Sequence, residues 1–378
     1  MRFAIIGVGF VADMYMTTLK LHPQLQLAGA YDRDGDRLAK FASFYNTSAY
    51  ASLDALLSDK TVDCVVNLTN PSSHYELNKA ALNAGKHVYC EKPLAMTYEQ
   101  AEELVLLAEE KGLQLSSAPC SVLSECAQTM AKAVRENAVG KIRAVYAEMD
   151  DGLIHRMPYR RWLNNRGVAW PYIDEFEVGC TLEHAGYSLT WLLGFFGPAT
   201  SVTAFASVQI PDKAEGEMPA ERSAPDFSVA CVQFANGVVA RLTCSIIASH
   251  DHALKVYGDE GVLWTPDNWF YRSPVYTRTF KKIRRRMFLS PFKNKQKMLG
   301  THLPVPKYRG ASNMDYARGV QEIADALVEK RTGRLSGRFA LHATEMALAI
   351  HYARLGQGAG VYTMRSTCER PEPMPWAK

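Results

Sequence analysis

Short apolar runs alternate with stretches of helical periodicity over the first 120 positions. Phe3 to Ile6, Leu25 to Tyr31, Val62 to Leu68 and His87 to Cys90 read as buried strands, with Leu113 to Ser116 as a weaker fifth. Helices are predicted between most of them, near 74–84 and 97–111. Thr97 and Gln100 form a capping-box pattern, Leu104, Leu107 and Ala108 follow at helical spacing, and Gly112 closes the segment. Alternating strand and helix units of this kind predict a parallel, doubly wound sheet.

The rhythm changes after about residue 120. A helix is predicted over 123–137, a strand over 142–149, an irregular stretch over 151–178 and a helix over 181–195. Residues 200–264 then alternate in the β manner. Phe227, Val229, Cys231 and Gln233 precede Asn236-Gly237, and Val239, Arg241 and Thr243 follow, which predicts a hairpin. Helical spacing returns over 312–331, where Tyr316, Val320, Ile323, Ala324, Leu327 and Val328 share a face, and again near 338–355. With 378 residues and ~100–200 per domain, the chain divides naturally into 1–120 and 121–378, with a C-terminal helix able to pack back on the first part.

Apolar residues make up 47% of the chain and charged residues 22%, a globular composition, and the net charge of +4 does not argue for nucleic acid. The eight cysteines form no Cys-x-x-Cys pair and no Cys/His cluster at zinc spacing, so buried thiols and no metal site are expected. The opening apolar run is too short for a secretory signal, and no stretch approaches ~18 apolar residues. A cytoplasmic location without a membrane span is therefore expected.

Gly7-Val8-Gly9-Phe10-Val11-Ala12 follows the first strand and opens a helix. This is a dinucleotide fingerprint: Gly7 allows the tight turn, Gly9 lets backbone approach a pyrophosphate, and Ala12 keeps helix and strand close. Asp32 ends the second strand, where a carboxylate accepts from ribose hydroxyls and repels a 2′-phosphate. Arg33 beside it suits a 2′-phosphate. The balance places NAD ahead of NADP.

Ala84-Gly85-Lys86-His87-Val88-Tyr89-Cys90-Glu91-Lys92-Pro93-Leu94-Ala95 resembles the signature of the Gfo/Idh/MocA family, which contains glucose–fructose oxidoreductase and inositol dehydrogenase. Thr69-Asn70-Pro71-Ser72-Ser73-His74 also resembles that family's third-strand loop, so Thr69, Asn70, Pro71 and His74 are expected near the cofactor. The resemblance is strong over the first domain and looser over the second. It implies an N-terminal Rossmann domain with a doubly wound parallel sheet, and a C-terminal α/β domain with an open, mostly antiparallel sheet. It further implies a homodimer or homotetramer built on that sheet, and a small sugar-like substrate. By resemblance, Lys92 stands between nicotinamide and substrate and assists proton movement, while Glu91 shapes the cofactor loop and Pro93 stiffens it. A desolvated lysine near a cationic ring is pushed toward useful acid–base strength.

Sugar dehydrogenases of this family carry an Asp-x-Gly-x-His pattern on a helix. Here Gly179-Cys180-Thr181-Leu182-Glu183-His184-Ala185-Gly186-Tyr187-Ser188 stands in its place, with His184 at the aspartate position and Ser188 at the histidine position. Positions four apart share a helix face, so His184 and Ser188 are expected to point together, with His184 as base. Glu183 and Tyr187 form the neighbouring pair, Glu183 as orienter or second acid. The polar residues that the family often has near 118–122 are replaced by Ala-Pro-Cys-Ser-Val. Arg156, Tyr159, Arg160, Trp162 and Tyr172, from the aromatic and arginine-rich stretch 155–175, are the candidate substrate contacts.

Residues 281–297 carry eight Lys and Arg and no acid, which leaves the remainder slightly acidic. A solvated mobile insertion, a lid or a membrane-surface contact all fit such a run. Three functions remain open: an NAD-linked dehydrogenase of a sugar, sugar derivative or polyol; a redox-assisted glycosidase that oxidises, eliminates, hydrates and reduces; and a non-catalytic NAD-binding regulator.

Overall fold

The computed structural model describes residues 1–300, 314–353 and 360–378. Two compact units emerge. The first gathers Met1–Cys120, Pro158–Glu175 and the described residues 314–345, so it is discontinuous in sequence. The second takes the remainder.

The first unit holds a five-stranded parallel sheet in the order β2-β1-β3-β4-β5, from β1 (Arg2–Ile6), β2 (Gln26–Tyr31), β3 (Cys64–Asn67), β4 (His87–Cys90) and β5 (Leu115–Ser117). The chain runs from β1 to β2 on one side and then crosses to β3 on the other. The switch point therefore lies at the carboxyl ends of β1 and β3, where α/β sheets bind ligands. β3 is buried on both faces, as Val65 and Val66 require.

Helices α1 (Ala12–Leu19), α2 (Gly35–Tyr45), α3 (Leu53–Ser58), α4 (His74–Asn83) and α5 (Tyr98–Glu110) connect the strands. Side chains of Asp34, Ser52 and Thr97 cap α2, α3 and α5 by accepting from the N–H three residues on. Leu82, Val88, Leu94, Leu104 and Val105 form the core with α5, each worth ~1.5–3 kcal/mol of burial.

The second unit begins with α6 (Glu125–Arg135), β6 (Ile142–Asp150) and the end of α7 (Tyr172–Val178). A single π-helical turn, Thr181–Ala185, then leads into α8 (Gly186–Phe196). Seven strands follow: β7 (Ala199–Ser207), β8 (Phe227–Phe234), β9 (Val239–Ser245), β10 (Leu254–Gly258), β11 (Gly261–Thr265), β12 (Tyr276–Ile283) and β13 (Arg286–Leu289). β14 (Asn294–Lys295) pairs with β12, and β15 (Val361–Thr363) lies on the far edge beside β7. Only β6 and β9 run parallel among the described pairs, so the open sheet is mostly antiparallel.

The predicted 227–243 hairpin is β8–β9. Its buried face, Ala230, Val232 and Phe234 on β8 with Ala240, Leu242 and Cys244 on β9, is the side on which the helices pack. The opposite face carries Tyr146, Phe205 and Val239, all exposed. Cys231 shares that face and is exposed, unlike the other seven thiols.

α9 (Arg318–Glu329) packs on β4 and β5 in the first unit, and Gly319 lies so close to the Tyr89 ring that a Cβ would overlap it. α10 spans Gly337–His351, and its Ala340 and Leu341 join the first unit's core. The predicted helical residues 312 and 313 lie outside the described residues, as do 354 and 355. No described helix is long and apolar enough to cross a membrane.

Within the basic run, β12 and β13 form an exposed hairpin through Phe280–Leu289. The helix predicted over 181–195 is present, with its first turn π-helical.

Candidate active site

The carboxyl ends of the parallel strands carry the first group of candidates. Gly7 takes φ +87°, and a Cβ there would lie 2.7 Å from Thr69 Cγ2 and 2.9 Å from the Thr69 nitrogen. The turn after β1 is thus pressed against the loop after β3, and only glycine fits. Gly9 differs: a Cβ would meet nothing within 4 Å. No packing demands glycine at 9, so its small size serves what approaches from outside. Val11 supplies no side-chain cap for α1, which leaves first-turn N–H groups for a ligand.

Asp32 sits immediately after β2, buried. One of its oxygens accepts from the Val8 N–H at 2.8 Å and the other from Asp34 N–H at 2.9 Å. Arg37 Nη1 stands 3.7 Å away. Asp32 therefore braces the glycine turn as well as offering carboxylate lone pairs for a ribose. Arg33 is exposed.

The loop after β3 is held by Asn67, whose Oδ1 accepts from the Thr69 N–H and hydroxyl. Asn70 accepts from the Ser73 hydroxyl at 3.0 Å, and Pro71 starts the short turn into α4. His74 is fully buried, with Nδ1 2.7 Å from the Pro93 carbonyl and Nε2 3.0 Å from the Thr69 carbonyl. It ties the loops after β3 and β4 together, which corrects its expected direct contact with cofactor. Burial lowers the pKa of its imidazole.

Glu91 is also buried. Its Oε1 accepts from the Tyr15 hydroxyl at 2.6 Å and its Oε2 from the Lys92 N–H at 3.2 Å. Burial, then the Glu91 charge, push the Tyr15 phenol well above its usual pKa, so Tyr15 remains a donor. Lys92, half-buried, follows on this braced loop.

Residues 158–175, expected to supply substrate contacts, instead belong to the first unit. Arg166 is almost fully buried there. Its Nε donates to Asp13 Oδ1 at 2.5 Å, and its Nη2 donates to the carbonyls of Val8 and Gly9, both at 2.9 Å. Asn164 Nδ2 donates to the Phe10 carbonyl at 3.3 Å. The segment is laced onto the glycine-rich turn, and Arg166 Nη1 is buried without a hydrogen-bond partner among the described residues.

Tyr159 is corrected from substrate contact to packing: it is 1% exposed, its ring lies 5.0 Å from that of Tyr172, and Arg160 stacks over both. Trp162 and Trp170 pair at 5.0 Å. Arg156 belongs to the second unit and is exposed.

The second unit carries the other candidates. His184 Nδ1 lies 2.8 Å from Asp151 Oδ2, and His252 Nε2 lies 2.7 Å from Asp151 Oδ1. Burial works to raise the Asp151 pKa, but the two histidines outweigh it and hold the carboxyl well below its usual range. Asp151 is therefore an anion bracketed by imidazoles, and Glu183 is buried on the π turn.

Ser188 is fully buried and accepts from Asn268 Nδ2 at 2.8 Å, which corrects its expected substrate contact. His184, one turn earlier, lies 5.9 Å from the neighbouring Trp269 ring, so both positions face residues 268–269, with Ser188 the deeper of the two. Tyr187 packs against Trp269, ring centroids 4.6 Å apart, and Trp269 also lies 4.5 Å from His252.

Arg166, Asn164, Asp13, Asp151 and His252 escaped the sequence reading. Arg166 stood within the arginine-rich stretch, but nothing local singled it out. Asp151 is 33 residues from His184 and 101 from His252, a separation that no motif spans.

Comparison with known proteins agrees with this geometry. Residues 1–118 match the family model described as an oxidoreductase family with an NAD-binding Rossmann fold, and residues 127–264 match the GFO/IDH/MocA C-terminal domain. An uncharacterized oxidoreductase of Synechocystis is 28% identical over 69% of this chain and 70% of its own. A 2,7-anhydro-N-acetylneuraminate hydratase of Escherichia coli is 31% identical over 48% of this chain and 46% of its own. The fold is that of aldose-aldose oxidoreductase from Caulobacter crescentus, with TM-score 0.74 and 20% identity, covering 96% of this chain and 99% of that one. With both halves matched, and with a glycine-rich turn, a braced Asp32 and a Glu91-Lys92-Pro93 loop at the ends of the parallel strands, the chain belongs to the Gfo/Idh/MocA oxidoreductase family and carries its NAD-binding Rossmann domain.

Proposed function

We propose that this protein moves a hydride between a nicotinamide cofactor and a CH–OH carbon of a sugar, sugar derivative or polyol. The observation that carries this reading is the braced loop after β4, which presents Lys92 from the same edge of the sheet as the glycine turn and Asp32. Gly9 leaves open space at the turn, the first-turn N–H groups of α1 are uncapped by Val11, and Asp32 has lone pairs for a ribose. These residues fit a dinucleotide. When bound, NAD would supply the hydride acceptor.

The chain's own part is acid–base chemistry and positioning. Lys92 exchanges the proton of the reacting hydroxyl, with Glu91 and Tyr15 fixing its loop. His184 is the second acid–base group, with Asp151 holding its ring. Asp32 favours NAD over NADP. The exposed sheet face bearing Tyr146, Phe205 and Val239 supports assembly into a homodimer or homotetramer.

A second reading has one specific support. The Escherichia coli relative is named as a hydratase, and a redox-assisted hydration or glycoside cleavage leaves no net reduced cofactor.

The deciding experiment follows reduced-nicotinamide absorbance with NAD and NADP against free sugars, inositols, sugar acids, nucleotide sugars and aryl glycosides. Stoichiometric build-up with one class supports the dehydrogenase. Product formation that needs NAD but accumulates no NADH supports the second reading. No turnover with any class counts against both.

A further inference from the structure

The turn before β10 places two histidines opposite Asp151. Asp150 and Asp251 exchange backbone hydrogen bonds at 3.0 and 2.9 Å, and Glu148 N–H donates to the Ala253 carbonyl at 2.9 Å. In that antiparallel register residue 151 faces 250 and residue 149 faces 252. Alternate residues share a face, so Asp151, His250 and His252 project to one side. One ligand atom from each of these three lies within 4.8 Å of the other two. The rings of His250 and His252 are 4.1 Å apart.

Burial adds an independent observation. His252 is 1% exposed, and its ring nitrogen Nδ1 lies 3.9 Å from Asp267 Oδ1. Its Nε2 and Asp151 Oδ1 stand 2.7 Å apart, within hydrogen-bond reach. A carboxylate beside two imidazoles is a donor set that a cation completes.

We propose that Asp151, His250 and His252 form a binding site for one divalent transition-metal ion of the zinc type. Two imidazoles and one carboxylate suit borderline ions, whereas calcium and magnesium prefer all-oxygen sets. The ion displaces the proton between His252 Nε2 and Asp151 Oδ1. His184 stays on the other Asp151 oxygen and orients the carboxylate from outside the ligand shell. Ligand atoms around zinc stand about 3.4 Å from one another, given bonds of ~2.0–2.1 Å. Binding therefore requires the exposed His250 to close in by side-chain rotation and the 2.7 Å between His252 Nε2 and Asp151 Oδ1 to widen. The fourth position stays open to water or a substrate oxygen. All three ligands belong to the second unit, and Asp151 is shared with the proposed acid–base group through His184.

The test uses the full chain, dialysed against chelator. Zn²⁺ alone is titrated by calorimetry, and Co²⁺ by its visible ligand-field bands. The expected result is one ion per chain, with proton release on binding and an affinity that falls as the pH drops through the histidine range. His250→Ala, whose side chain is exposed and outside the core, should weaken Zn²⁺ at least ~10-fold while leaving NADH binding unchanged. His252→Ala should abolish stoichiometric binding, with folding checked by circular dichroism. Equal Zn²⁺ affinity in the wild type and His250→Ala would overturn the proposal, as would the absence of one-to-one binding at micromolar Zn²⁺. NADH titration of the same samples reports on the cofactor site separately, so failure of one site is distinguishable from failure of the other.

Discussion

The glycine-rich turn and the histidine–aspartate group are built in opposite ways. In the turn, six consecutive residues from Gly7 to Ala12 carry most of the design, and Asp32 and Thr69 brace it from adjacent strand ends. In the second unit, Asp151, His184 and His252 come from three distant elements and meet only through sheet pairing and a π turn. Backbone chemistry is local, because a ligand that is read by N–H groups needs only one turn. Side-chain acid–base chemistry needs charge brought to charge, which the chain can do from anywhere.

This contrast can be broken most decisively at the two acid–base groups. Lys92→Ala should lower the turnover rate ~10²–10⁴-fold with NADH affinity intact, measured by steady-state rates beside fluorescence titration. His184→Ala should fall in the same range if the assembled group takes part in the chemistry. A His184→Ala rate within about threefold of wild type would reduce the second group to a structural or metal-binding role.

Next in size is Arg166→Met. It leaves Asp13 buried without its partner, so about 3–5 kcal/mol of stability should be lost in denaturant unfolding. NADH affinity should fall as well, because Val8 and Gly9 lose the donor that holds their carbonyls. Unchanged stability would mean that residues 158–175 do not lace the turn.

The two glycines sharpen the comparison further. Gly7→Ala meets Thr69 at 2.7 Å with φ at +87°, and should cost ~2–4 kcal/mol. Gly9→Ala meets nothing and should leave the melting temperature unchanged while weakening NADH. Equal losses of stability in both would remove the distinction between a packing glycine and a ligand glycine.

Asp32→Ala should shift preference toward NADP and weaken both cofactors, since the Val8 N–H loses its acceptor. Titration of each cofactor checks this, and an unchanged NAD-to-NADP ratio would refute the ribose role.

The smallest effect belongs to His74. Burial lowers its pKa in the folded state, so the unfolded chain binds a proton first. Stability then falls as pH drops below ~6.5 toward the lowered folded value, by at most ~1.4 kcal/mol per pH unit. His74→Gln should flatten that slope in unfolding measured between pH 7 and pH 5.

The Rossmann half was legible because its signals are short-range. Strand–helix alternation, Thr97 capping α5 and the glycine fingerprint all act within a few residues. The 181–188 stretch misled for a definite reason. Spacing gives direction but not depth: His184 and Ser188 both face residues 268–269, yet Ser188 is fully buried against Asn268 while His184 stands beside Asp151. Tyr159 misled differently. An aromatic ring suits a sugar, but it equally suits other rings and an arginine, and here it is buried against Tyr172 and Arg160 within the first unit.

By itself, the sequence determined the family, the parallel sheet and the glycine-rich turn, because periodicity, turn chemistry and a contiguous motif are properties of neighbouring residues. Tertiary structure alone decided that Arg166 binds the glycine turn, that Asp151 stands beside His184, and that His250 and His252 face Asp151. Those choices depend on strand register and helix phase, which bring together charges separated by tens of residues. No linear spacing encodes that separation.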